Sequence, residues 1–399
     1  MVYSIYSKQK ENAMETRKLY YEDSHLREFT GAVLSCDPSG KGWEIVLDAT
    51  AFYPEGGGQA CDLGSLGDVR VLDVQERGET VVHLCDGPLP VGETVRGIID
   101  WSRRFDQMQQ HSGEHILSGL INRTYGYHNV GFHVGNGLME VDFDDPMTLE
   151  QVLALERKAN EAVWMDLPIR CWYPAEEELP NLGYRTKKQL PWPVRIVEVP
   201  GYDKCACCGV HVQHTGEIGL IKVISVAKFH QGVRIQMLCG GRAYDYLNRV
   251  FEQNRQVSQA FSAQLTDTGA AARRMNEALA AEKFRASGLE KRVFGLLAES
   301  YINCGNVLRF EAGLEPNGVR ELADSIAQVC GGTAAVFSGE DGNYALCLVN
   351  KDGDVKALGT EMAKALGGRG GGKPGYFQGS VKATRREIEE FFQSAEIAD

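Results

Sequence analysis

The run RRFDQMQQHSGEHILSGLINRTY, residues 103–125, places Phe105, Met108, Ser112, Ile116 and Leu120 at near-helical spacing. It therefore predicts a helix with one face in a core. On that helix His111 and His115 stand at i and i+4, one turn apart, with Cβ atoms about 5–6 Å from each other. Two imidazoles so placed can converge on one ion, although such pairs also arise by chance. Nearly a hundred residues later, CACCGVH (Cys205–His211) offers Cys207 and His211 at the same spacing. Three nitrogens and one sulfur suit tetrahedral zinc, so one Zn2+ per chain is expected on His111, His115, Cys207 and His211. Cys205 and Cys208 compete for the sulfur position, and His214 is a further candidate nearby.

Outward from this helix the pattern changes on both sides. From about Lys18 to Asp100, short β-rich runs such as WEIVLDATAF and TVVHLC alternate with Gly, Pro and Asp turns, which reads as a small β-barrel or sandwich. Among them FYPEGGGQACDLG holds Gly56, Gly57 and Gly58, a loop able to bring backbone N–H groups close to another surface. After the helix, LMEVDFD reads as a strand and TLEQVLALERKANEAVWMD as a second helix opened by a Thr148/Gln151 capping box. Residues Tyr244–Tyr301 turn rich in Ala, Glu, Arg and Gln with apolar residues at helical spacing, broken near LTDTG. The final hundred residues alternate strand and helix again. The expected fold class is α+β multidomain: a small β-barrel (1–100), a zinc-binding α+β domain with helices on an antiparallel sheet (101–243), a long-helix connector (244–301) and a C-terminal α/β domain (302–399).

Composition limits the functions. A chain of 399 residues, 43% hydrophobic and 24% charged, is that of an ordinary folded protein with several domains. No run of about twenty apolar residues occurs and the first residues lack an apolar block, so a cytoplasmic location is expected. The eleven cysteines read as reduced thiols. A formal charge of −12 argues against indiscriminate polyanion binding. Any nucleic-acid contact must come from local patches, for which WSRR (101–104), YRTKK (184–188) and GGRGGGK (367–373) are candidates.

HSGEH followed by CCGVHVQHTGEIG resembles the editing domain of alanyl-tRNA synthetases and of free-standing alanyl-tRNA editing proteins, whose second motif usually reads Cys-Gly-Gly-Thr-His-Val. FYPEGGGQACDLG is similar to the signature of the β-domain that precedes it. GGRGGGKP with FQGS resembles the glycine-rich signature of the DHHA1 domain. The likeness runs through nearly the whole chain in the family's order. It implies zinc ligation by the same four residues, with Cys208 and Val210 standing where the family has Gly and Thr. Only about twenty residues precede the β-domain, so aminoacylation is not expected.

The resemblance implies a deacylase acting in trans on tRNA(Ala) mischarged with serine or glycine and sparing alanine. A second hydrolytic site is needed because a small apolar pocket rejects an added hydroxyl poorly. Candidate catalytic groups are Gln110 and Glu114. Candidate substrate-binding groups are Thr50, Gly56, Gly57, Gly58, Gln59, Asn129 and His133, with Arg369 and Lys373 for tRNA phosphate or sugar. GGRGGGKP is not a nucleotide-binding phosphate loop, since Pro374 stands where Ser or Thr is required. A homodimer through the long helices or the last domain is a further expectation. The rival readings are a nucleic-acid-binding module with a purely structural zinc, and editing of another aminoacyl-tRNA such as Ser-tRNA(Thr).

Overall fold

The computed structural model describes residues 15–135, 137–186 and 190–394. The chain divides into two compact units, Met1–Gln253 and Asn254–Asp399, where the sequence suggests four segments.

In the first unit, six antiparallel strands close a ring in the order Glu28–Ser39, Gly42–Leu47, Thr80–Cys85, Val69–Arg77, Gly64–Leu66, Thr94–Ile99. Every second residue of Thr94–Ile99 is buried, as a strand with one face on a core requires. Phe29, Ile45, Leu47, Phe52, Leu66 and Val74 fill the interior.

The expected fold class needs correcting at this point, because these strands do not make a separate β-barrel domain over residues 1–100. Strand Arg17–Lys18 pairs in parallel with Ala49–Thr50, outside the ring. Tyr20 and Tyr53 belong to the same core as Met108, Ile116 and Leu120 of the following helix. Arg104 of that helix, wholly buried, donates to Asp62 Oδ1 at 2.8 Å and to the Ala51 carbonyl. Hydrophobic periodicity marks each strand but says nothing of a shared core between segments. WSRR is thus not a basic patch, since Arg103 also donates inward, to the Cys61 carbonyl at 2.9 Å.

The helix Trp101–Tyr125 is opened by Asp100, whose side chain accepts from Arg103 N, and closed by Gly126 in the left-handed region. The second helix, Leu149–Trp164, carries the capping box with both bonds made. These helices meet two sheets rather than one. The first is four-stranded (Ile221–Phe229, Gly232–Cys239, Met139–Phe143, Asn129–Val134) and the second three-stranded (Arg170–Trp172, Ile196–Val199, Asp203–Ala206).

In the second unit a five-stranded sheet has the order Gly305–Phe310, Gly331–Glu340, Asn343–Val349, Tyr376–Val381, Arg369–Lys373, with only the first pair parallel. Phe294 and Ala298, from the end of the helix Thr268–Glu299, lie in its core with Val319 and Leu322. The glycine-rich stretch forms the edge strand Arg369–Lys373, exposed at all five residues. Among the described residues no helix is long and apolar enough to cross a membrane.

Candidate metal centre and pocket

His111 and His115 leave the middle of the helix Trp101–Tyr125, while Cys207 and His211 come from the loop after strand Asp203–Ala206. One ligand atom from each of the four lies within 4.8 Å of every other. Cys207 Sγ is 3.4 Å from His111 Nε2. Zinc bonds of ordinary length in a tetrahedron hold nitrogen and sulfur ligands about 3.3–3.7 Å apart, so little movement separates this arrangement from a loaded one.

The far side of each ring is held. His111 Nδ1 donates to Gln59 Oε1 at 2.9 Å, His115 Nδ1 to Asp203 Oδ2 at 2.9 Å, and His211 Nδ1 lies 3.1 Å from Ser112 Oγ. A proton fixed on Nδ1 leaves the Nε2 lone pair for a metal. His211 Nε2 is buried and finds no hydrogen-bond partner. A buried nitrogen without a hydrogen-bond partner, facing two imidazoles and a thiol, is a donor placed for a cation. The donor set therefore fits zinc.

Charge supports the same reading. Burial pushes the Cys207 thiol up, but the adjacent His111 and His115 outweigh it and hold the group well below its ordinary value. Burial, reinforced by His111, brings His211 down to about 3, so its ring stays neutral. Burial raises the Asp203 carboxyl, but hydrogen bonds from His115 and Arg185 lower it further, and the carboxylate persists. Among the competing thiols, burial raises Cys205 to about 11, and Cys208 is also raised. Cys205 belongs instead to a second grouping with His115 and Asp203.

Two glycines permit the approach. A Cβ on Gly209 would stand 2.2 Å from His111 Cε1, and one on Gly58, at φ +82°, would stand 2.5 Å from the Phe132 ring. The three-glycine turn thereby packs against strand Asn129–Val134, and Gly58 O accepts from Val134 N at 3.2 Å.

A cavity of about 440 Å³ opens on His111, His115 and Cys207, lined also by Glu114, Asn129, Tyr173, Arg185 and Arg195. Glu114, one position off the histidine face, still reaches it. Its Oε1 accepts from Ser118 Oγ at 2.5 Å and from Asn129 Nδ2. With its amide nitrogen so held, Asn129 leaves Oδ1 buried and unpartnered.

Other candidates lie elsewhere. Gln110 is wholly buried and pairs with the Cys239 backbone, donating to its carbonyl at 2.8 Å and accepting from its N–H at 2.8 Å. Thr50 is buried against the barrel strand Thr80–Cys85, with its hydroxyl 2.8 Å from His83 Nε2. Gln59 is turned inward behind His111, and of the three glycines Gly57 alone lines the cavity. His133 points outward from its strand. Arg369 and Lys373 are in the second unit. Lys187 and Lys188 of the YRTKK patch fall outside the described residues.

Sequence reading missed Asp203, Ser112, Arg185 and Arg195. The two-residue period of a strand, which sets Asp203 and Cys205 of DKCA on one face, was the available signal for the first. Nothing in spacing pointed to Arg195.

Residues 4–103 match the family of class II (A) tRNA synthetases, residues 194–235 the threonyl and alanyl tRNA synthetase second additional domain, and residues 301–397 the DHHA1 domain. A mouse protein named alanyl-tRNA editing protein Aarsd1 is 28% identical over 93% of this chain and 95% of its own length. An alanine–tRNA ligase of Thermofilum pendens is 32% identical over 93% of this chain, which spans 43% of the ligase. Among solved structures, the C-Ala domain of Aquifex aeolicus alanyl-tRNA synthetase matches 23% of this chain and 88% of its own, at 22% identity and a TM-score of 0.21.

Proposed function

Because the chain belongs to the multidomain, DHHA1-containing family related to alanyl-tRNA editing proteins and to the editing domains of alanyl-tRNA synthetases, we propose that it is a trans-editing aminoacyl-tRNA deacylase. Its substrate is tRNA(Ala) mischarged with serine, or with glycine, and it leaves Ala-tRNA(Ala) intact. The observation that carries this reading is the convergence of His111, His115, Cys207 and His211, the first three of which face a cavity that Glu114 and Asn129 also line.

Zinc bound by those four residues would supply Lewis-acid polarisation of the ester carbonyl or a more acidic water. The chain's own groups do the rest. Glu114 takes a proton from the water that adds to the ester carbon, and returns it to the ribose oxygen as the carbon–oxygen bond breaks. Asn129 Oδ1, fixed and bare, accepts a hydrogen bond from the serine hydroxyl. A methyl group leaves it unsatisfied, at a cost of about 1–3 kcal/mol. Glycine gains no such contact and is expected to be hydrolysed more slowly than serine.

Partners belong to the same proposal. Arg369 and Lys373 on their exposed strand would meet tRNA phosphate. Met275, Leu279, Leu289, Val293 and Leu296, exposed along one side of the helix Thr268–Glu299, are a face a second copy would cover. The test is deacylation of tRNA(Ala) charged with serine, glycine or alanine, beside serine-charged tRNA(Thr). Rapid loss of serine from tRNA(Ala) with alanine spared is expected. Stability of all four esters on zinc-loaded protein would leave a purely structural metal. Asn129→Ala should narrow the preference for serine over alanine roughly tenfold or more, and an unchanged ratio would remove Asn129 from recognition.

A further inference from the structure

Arg195, from the stretch before strand Ile196–Val199, lines the cavity and is only 8% exposed. Its Nη1 donates to the Cys207 carbonyl at 3.0 Å and to the Gly209 carbonyl at 2.8 Å, and the guanidinium lies over the Tyr21 ring at 4.7 Å. Among the described residues it pairs with no carboxylate. The other arginine of the cavity contrasts with it: Arg185 is gripped by both oxygens of Asp203, at 2.7 and 2.9 Å. The Cys207 sulfur near Arg195 is already engaged by the imidazoles.

A guanidinium taken out of water without a counter-ion is costly, and ordinarily such a group is paired. An anion brought by the ligand would complete it. The proposed substrate narrows which anion that is. Its amino-acid carboxyl is esterified and its amino group is positive, so the negative groups close to the scissile bond are backbone phosphates. Arginine's planar fork matches a phosphate better than any other side chain does.

We propose that Arg195 binds the phosphodiester that joins the terminal nucleotide of the substrate to its neighbour, and so positions the ester over the four-ligand centre. Arg195 is a positioning residue: two of its bonds shape the loop of Cys207 and Gly209, and its remaining edge, which also meets the Cys171 sulfur, holds the nucleic acid. The same side chain thereby ties the seating of the 3′ end to the loop that carries the sulfur ligand. This rests on the deacylase reading above.

The test compares two small substrates, 3′-O-seryl-adenosine, which has no phosphate, and the seryl ester of the dinucleotide CpA, which has the phosphodiester in question. Wild-type protein should prefer the dinucleotide. Arg195→Gln should lose about 10- to 100-fold more in kcat/KM on seryl-CpA than on seryl-adenosine, the excess falling in KM, because a loss through the loop bonds is common to both substrates. Arg195→Lys, which keeps the charge and loses the fork, should fall between. Equal losses on both substrates, or loss of zinc in both variants, would overturn the proposal and leave Arg195 as a support of the loop alone. Failure of the wild type on both esters would instead sink the deacylase reading, and this inference with it.

Discussion

Gln59 shows how the site depends on a residue that never reaches the cavity. Its Oε1 accepts from His111 Nδ1 at 2.9 Å and from Val210 N at 3.3 Å, so one amide oxygen sets a ligand's tautomer and anchors the ligand loop. Gln59→Leu should weaken zinc binding about 10- to 100-fold without unfolding the protein, measured by chelator competition. Unchanged affinity would show that the ring is oriented by packing alone. The pairing of His111 with His115 was legible in the sequence because i, i+4 spacing on a helix is a geometric statement, and the structure brings Cys207 and His211 to the same pair. The role of Gln59 was not, because GGGQ shows that a turn comes close to something without showing which side chain turns inward. Gln110 misled for the matching reason. It neighbours His111 in sequence, yet the next position on a helix is rotated by about 100°, and its amide pairs with Cys239 instead.

Among elements, the loop of Cys207 to His211 and the barrel make separate demands. Gly209 has no room for a side chain beside His111. Gly209→Ala should therefore displace the ring and cost about 1–3 kcal/mol of stability together with zinc affinity, checked by urea unfolding and metal titration. Full retention of both would show that the loop has slack. In the barrel, His83 Nδ1 donates to the Ile45 carbonyl at 3.0 Å while Nε2 takes the Thr50 hydroxyl. Burial holds its pKa at about 4. Between the unfolded value near 6.5 and this lower one, the unfolded chain binds the proton and the folded chain does not. Stability should fall as pH drops from about 6.5 to 4, by at most about 3 kcal/mol from this group, and stay unaffected by it above 6.5. His83→Gln should flatten that slope in urea midpoints measured at several pH values, and an identical slope would show another group responsible. Strand periodicity announced the barrel strands. It could not announce that Thr50 faces His83, since that contact joins residues 33 positions apart.

Across the whole molecule, the division after Gln253 has an experimental consequence. Phe294 and Ala298 lie in the second core, so a cut at residue 302 would strip it of its cover. A fragment of residues 1–253 should keep its zinc and bind tRNA more weakly than the full chain, compared by metal analysis and filter binding. Equal affinity would take Arg369, Lys373 and the rest of the second unit out of tRNA recognition. The order of segments was readable from composition and from four motifs in series. The sharing of one core by Tyr20, Tyr53 and the helix Trp101–Tyr125 was not, because tertiary contact leaves no period in the chain.

The proposed deacylase carries out ester hydrolysis at the centre formed by His111, His115, Cys207 and His211. The most direct measurement follows zinc content and Ser-tRNA(Ala) deacylation in the same samples of wild-type protein and Cys207→Ala, with Cys205 and Cys208 left in place. Loss of zinc together with loss of deacylation in the variant is the predicted result. Full zinc in Cys207→Ala would assign the sulfur elsewhere, and full activity without zinc would remove the metal centre from ester hydrolysis.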